Sequence, residues 1–169
     1  MRPIVVSAHV SRSPDQVFAF LDVLANHMQF TDHMLVEWSF SGPPSGIGAA
    51  ARARAATSGK QWVDITVTES VPPARTVEET IGANGKRRTR GTYSLVARGG
   101  GTDIGFKLEY LEAPLSERIL APAIRGYMRR VNGTAMRRLA GLFEEPRAEA
   151  TPGYSLGEQH EISDPEEQR

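Results

Sequence analysis

The hydrophobic period of this chain changes once, at Ala113-Pro114, and that change restricts its fold more than any other feature. Upstream, from residue 35 to residue 110, apolar and polar residues alternate in short runs broken by Gly, Pro, Asn and Ser. Period two belongs to half-buried strands. Downstream, Leu120, Ile124, Tyr127, Val131, Ala135, Leu139 and Leu142 recur at three- and four-residue steps, the stripe of an amphipathic helix. A sheet and a single long helix have to bury their apolar faces on each other, so the expected class is α+β.

The turn signals set the element boundaries. Residues 4–10 alternate as a first strand, and Ser13, Pro14 and Gln16 follow with the makings of a capping box around a proline at the first helical position. Val17, Phe18, Leu21 and Leu24 give that helix its apolar stripe, and a second short helix is expected over residues 25–30. Six further strands are expected at residues 35–41, 49–57, 61–70, 75–82, 86–97 and 102–110. Ala83-Asn84-Gly85 reads as a three-residue hairpin loop, with Gly85 free to take a positive φ. Connections this short join antiparallel neighbours. Pro122 suits a first helical turn, so the main helix is expected from about residue 122 to residue 145, about 36 Å at 1.5 Å per residue. Residues 1–145 are read as one domain. Residues 146–169 hold Pro, Gly and acid with few large apolar side chains, and are read as a mobile tail without chemistry of its own.

Composition narrows the function classes. A chain of 169 residues buries roughly 70% of its unfolded surface, enough for a core and a cavity. Lys plus Arg and Asp plus Glu are balanced at 20 each, so no global field draws in nucleic acid or an anionic membrane. The absence of cysteine excludes disulfides, thiolate metal sites and a cysteine nucleophile. The first residues are too briefly apolar for a signal peptide and no later run approaches a membrane span, so a cytoplasmic location is expected. The Arg- and Ala-rich usage points to a high-GC bacterial source.

Seven twisted strands curve, and a helix only about 10–12 Å across leaves part of the concave side unfilled. The alternating faces predict the lining of that space. Phe106, Leu108 and Tyr110 share one face of the last strand with Ile104, and Tyr93 and Leu95 join them from the strand before. Trp38 and Phe40 come from the second strand, and Ile124, Tyr127 and Val131 from the helix. Val63, Ile65 and Val67 add an aliphatic wall. Ala49, Ala51, Ala53 and Ala55 are small for inward positions and predict volume beside them.

The order strand, two short helices, six strands, long helix is the helix-grip order, and specific stretches carry a likeness. Residues 10–21, Gly46-Ile47-Gly48, the run from Val67 to Pro73, and Leu120-Ala121-Pro122 resemble segments of the START-like (SRPBCC) superfamily of polyketide cyclases, dehydrases and lipid-transfer domains. The resemblance covers about residues 4–145. It implies a helix-grip fold: a seven-stranded curved antiparallel sheet around a long C-terminal helix, with two short helices after the first strand. It assigns no catalytic residue, metal or cofactor, because the superfamily hosts carriers, receptors, co-chaperones and enzymes.

Individual polar residues admit two readings each. Tyr93, Tyr110 and Tyr127 either orient a ligand carbonyl or are half-buried aromatics with wet tips. Trp38 and Phe40 either stack on a flat ring or pack in the core. His9, His27 and His33 raise a metal question, but their spacing is not that of a helical ligand pair, and surface or capping roles are expected. Asp32-His33 is an alternative acid/base dyad. Glu79, in phase with Val77 and Ile81, is a candidate inward base opposite Thr89, or a partly exposed partner of an arginine. The basic run from Lys86 to Arg90 reads as a solvated strand face, and Gly99-Gly100-Gly101 as a loose hairpin loop.

The expected function is binding or transport of a small hydrophobic molecule (a lipid, isoprenoid or polyketide) in an internal cavity, without catalysis. The alternative is a polyketide cyclase or aromatase acting in that cavity, distinguished by a convergent polar pair in the lining. A partner-binding module is the third possibility, and it requires a large exposed apolar patch. A monomer or homodimer is expected, with no nucleic-acid partner and no stable membrane insertion.

Overall fold

The computed structural model describes residues 1–57 and 60–144. Residues 146–169, expected to form a tail, lie outside the described residues. Ser13 caps the first helix as its sequence predicts: its hydroxyl accepts from the Gln16 amide, and the Gln16 side chain accepts from the Ser13 amide. That capping box starts α1 (Pro14–Leu21), directly after β1 (Ile4–Val10). A single 3-10 turn (Leu24–His27) and the short α2 (Met28–Thr31) follow.

Six more strands come next: β2 (Leu35–Ser41), β3 (Ala50–Ala55), β4 (Trp62–Val71), β5 (Arg75–Gly82), β6 (Arg87–Arg98) and β7 (Gly101–Glu112). They form one antiparallel sheet in the order β1-β7-β6-β5-β4-β3-β2. Strands β1 and β2 are therefore the two edges, and the short helices carry the chain from one edge to the other. A short helix, α3 (Leu115–Ile119), follows the last strand and has no counterpart in the sequence reading. The expected helix-grip architecture is completed by α4 (Ala121–Phe143). At 23 residues α4 is about 35 Å long.

The core lies where α4 meets the β1–β7 side of the sheet. Ala135, Met136 and Leu139 of α4 pack with Val17, Phe18 and Leu21 of α1 and with Ile4, Ile104 and Phe106. Only the second half of α4 is buried in this way. Its stripe runs through Met128, Asn132, Ala135, Met136 and Leu139, rotated from the predicted one, and Leu120, Tyr127 and Leu142 are exposed. Periodicity alone counts every apolar residue as inward. The early turns of α4, however, lie where the cavity opens.

One register differs from expectation. The β5–β6 loop holds four residues, because Gly82 pairs with Arg87 and Lys86 donates to the Ala83 carbonyl. Ala83, Asn84 and Gly85 all take positive φ in that loop. The pairing slips by one, so Glu78 and Thr80 face inward with Val67 and Ile65, while Glu79 and Ile81 face outward.

Candidate functional site

Because α4 packs against β1 and α2, the middle of the concave face is left uncovered. There a cavity of about 220 Å³ opens between β2–β7, α2 and α4. Val63, Ile65, Phe106, Leu108 and Met136 form most of its apolar wall. Exposed Thr57, Gln61 and Tyr127 mark its mouth.

Seven of the predicted lining residues are brought together here: Trp38, Tyr93, Phe106, Leu108, Tyr110, Tyr127 and Val131. Three are not. Leu95 is buried in the core beyond the cavity, against Ile104. Ile124 sits on the half-exposed early turns of α4. Phe40 is exposed and stacks on Trp38, ring centroids 5.7 Å apart and 14° from parallel, so only Trp38 reaches the cavity. The alanines behave differently from expectation too. Ala51 and Ala53 are packed with Leu24, Leu35 and Trp38, which take up the space, and only Ala55 lines the cavity.

The inner end of the cavity holds a polar cluster that the sequence reading did not identify. Of the surface and capping roles expected for the histidines, His27 takes the second: it is 3% exposed and caps the end of α1 from the interior. Its Nε2 lies 2.9 Å from the Leu21 carbonyl. A carbonyl only accepts, so Nε2 carries the hydrogen and Nδ1 is turned toward the cavity. Nδ1 lies 3.6 Å from Oε2 of Glu78, and that oxygen is buried with no hydrogen-bond partner among the described residues. Burial pushes the Glu78 carboxyl above its usual range, and the neighbouring His27 opposes the shift. Tyr93 stands edge-on to His27, ring centroids 5.6 Å apart. Burial, and then the field of Glu78, hold its phenol well above its ordinary range, so it remains a neutral donor.

The strand β5 shows why the cluster escaped notice. Its cavity-side residues, Thr76, Glu78 and Thr80, are polar, while its other face carries the buried Val77 and the exposed Ile81. That inverts the usual pattern, and the inverted polarity is the signal that marks the site. Glu79 instead bonds Arg88 (3.0 Å) and Arg90 (2.8 Å) on the outer face, which lowers its carboxyl below the usual range.

A second polar group lies toward the β5–β6 hairpin, where Arg87, Thr89, Thr80 and Tyr110 line the cavity. Nη1 of Arg87 donates to Oε1 of Glu117 on α3 at 3.1 Å, so its charge is matched from outside the lining. Burial raises the Tyr110 phenol, with Arg87 pulling it down and Glu117 pushing it up.

The remaining histidines go elsewhere. His9 bonds Asp103 (2.7 Å), and His33 reaches the Val131 carbonyl (3.0 Å) while Asp32 pairs with Arg138. Asp32 and His33 approach each other to 3.8 Å, but neither lines the cavity, so the pair is not placed to act there. Among the described residues no cluster of three or more His, Cys, Asp or Glu is placed to hold a metal, and no helix is long and apolar enough to cross a membrane.

No curated protein matches the chain in sequence. Solved structures share its fold at low identity. A protein encoded in the dynemicin biosynthetic locus, DynU16, aligns with TM-score 0.59 and 16% identity over 82% of this chain, which spans only 46% of that protein. TTHA0849 of Thermus thermophilus aligns with TM-score 0.63 and 14% identity, covering 83% of this chain and 95% of its own. CV1439 of Chromobacterium violaceum aligns with TM-score 0.62 and 16% identity, covering 86% and 100%. Identities this low establish the fold alone. A family model described as polyketide cyclase/dehydrase and lipid transport matches residues 1–144, a span that includes every described residue, and the protein belongs to that family.

Proposed function

We propose that the cavity binds one small, ring-bearing hydrophobic molecule whose single polar group is directed at His27, Glu78 and Tyr93. The observation that carries this reading is the unpartnered, buried Oε2 of Glu78 at the inner end of an otherwise largely apolar space. At about 220 Å³ the cavity exceeds the ~150 Å³ that admits benzene, so it takes a molecule of about one or two fused rings. Affinity comes from apolar burial at roughly 25 cal/mol per Å², and orientation from the polar cluster. The family supports a hydrophobic ligand in general terms, and the flat walls of Trp38, Tyr93 and Phe106 support a ring.

The test is native mass spectrometry of protein purified from its own host, beside an Ala55→Trp variant that fills the cavity. A co-purified molecule of this kind, present in the parent chain and missing from the variant, is the expected result. Protein that emerges bare, and whose melting temperature ignores a broad panel of ring compounds, would sink the proposal.

A second reading, cyclase-type chemistry on the same ligand, is favoured by the His27–Glu78 pair with the neutral Tyr93 phenol beside it. Such a trio supplies a proton acceptor and a donor within one wall. Glu78→Gln separates the two readings. It keeps binding and abolishes conversion of the co-purified ligand class if the site is catalytic, and leaves no turnover to abolish if the protein is a carrier.

A further inference from the structure

The surface beside the cavity mouth combines bulky apolar side chains with arginines that have no acidic partner among the described residues. Leu115 and Ile119, four residues apart on one side of α3, are 70% and 71% exposed, and Leu120 and Tyr127 follow at 58% and 47%. Glu117, on the other side of α3, turns back to Arg87 in the cavity wall, so the apolar side of the helix is the one given to solvent. Tyr127 belongs both to this face and to the cavity lining, which makes the two continuous.

Charge is segregated beside these side chains: Arg118 flanks Leu115 and Ile119 on α3 and Arg130 flanks Tyr127 on α4, whereas Arg125 and Arg129, two residues either side of Tyr127, project from the opposite side of α4. From Arg118 to Phe143 the chain has six arginines and no acid. Arg118, Arg125, Arg129 and Arg130 are exposed and make no ion pair among the described residues. Elsewhere Arg52, Arg54, Arg75, Arg88, Arg90 and Arg98 each lie within reach of a carboxylate.

We propose that this face docks on an anionic lipid surface, with Leu115, Ile119, Leu120 and Tyr127 entering the interface and Arg118 and Arg130 meeting the headgroups. Exposed leucine, isoleucine and tyrosine beside cations is the composition that suits the boundary between headgroups and acyl chains. A second copy of the chain fits poorly, because two such faces would set four arginines against one another with no acid of the described residues between them. The docking itself does not depend on the cavity. The purpose assigned to it, uptake or release of a hydrophobic ligand through the mouth at Tyr127, rests on the proposed function.

Flotation with vesicles tests it, using phosphatidylcholine alone and phosphatidylcholine mixed with phosphatidylglycerol. The protein is expected to float with the anionic vesicles, to be released at high salt, and to ignore the neutral ones. Arg118→Glu with Arg130→Glu, and separately Leu115→Ser with Ile119→Ser, are each expected to weaken partitioning about tenfold or more. Arg98→Glu, at the other end of the β6–β7 pair, and the cavity-filling Ala55→Trp are expected to float as the parent does. Absence of flotation, or equal loss in the Arg98 variant, overturns the proposal. So does a Leu115/Ile119 variant that converts a dimer to a monomer with vesicle binding unchanged, which would give the face to a second copy. If Ala55→Trp loses its ligand yet still floats, docking and ligand reading both stand; if no ligand is found and flotation persists, only the ligand reading fails.

Discussion

Gly91 lies directly opposite Glu78 across the β5–β6 ladder, and a Cβ at position 91 would sit 3.1 Å from Oε1 of Glu78 and 3.0 Å from Cε2 of Phe106. The missing side chain is what lets the carboxyl fold against the sheet beside an aromatic ring. Gly91→Ala must push one of them into the cavity. We expect it to cost about 1 kcal/mol of stability, the scale of mild overpacking, and to weaken ligand binding more than it weakens the fold. Urea denaturation alongside ligand titration checks the pair of effects, and an unchanged affinity would contradict the geometry.

Glu78 sets a pH dependence of known sign. Its folded carboxyl is raised by burial above the ordinary value of 4.5, so its contribution to stability is fully present below that value and is lost as pH rises through the folded pKa. Glu78→Gln removes the cost of burying the charge. The variant is expected to match the parent below about 4.5 and to be the more stable of the two at neutral pH, as read from denaturation midpoints across the range.

The two halves of α4 should respond differently to truncation. Leu139 is fully buried against α1 and the sheet, and Leu139→Ala is expected to cost about 2–5 kcal/mol. Leu120→Ser, at an exposed position, is expected to stay within about 0.5 kcal/mol of the parent. Chemical denaturation of both variants decides it.

The cap on α1 offers a local control. Ser13→Ala removes an acceptor for the Gln16 amide and is expected to cost about 1 kcal/mol, measured the same way, without altering the cavity.

Much of the architecture was legible because it rests on short-range rules. The bounds of β1, β2 and β5 follow from alternation and turn residues, and α1 from Ser13, Pro14 and Gln16. Tyr93, Phe106, Leu108 and Tyr110 were placed on one wall by phase alone, and directly opposed Tyr93 and Phe106 share that wall. What stayed hidden depended on register. One extra residue in the β5–β6 loop turned Glu79 outward and Glu78 inward, a difference that no apolar count reveals when the inward face is the polar one. His27 was obscured because its partner, the Leu21 carbonyl, is a backbone group that side-chain spacing does not announce. The exposed start of α4 was misread because amphipathic periodicity reports which side chains are apolar and not what covers them.

The placement of β1 at one edge has a consequence for how the chain comes together. His9 meets Asp103, 94 positions later in the sequence, and every rung of the β1–β7 ladder spans a comparable distance. During synthesis β1 thus waits without its partner until β7, the last strand of the sheet, emerges. Closing one pairing this distant is slow compared with forming the five ladders between consecutive strands, and until it closes β1 and β7 each present an unsealed edge.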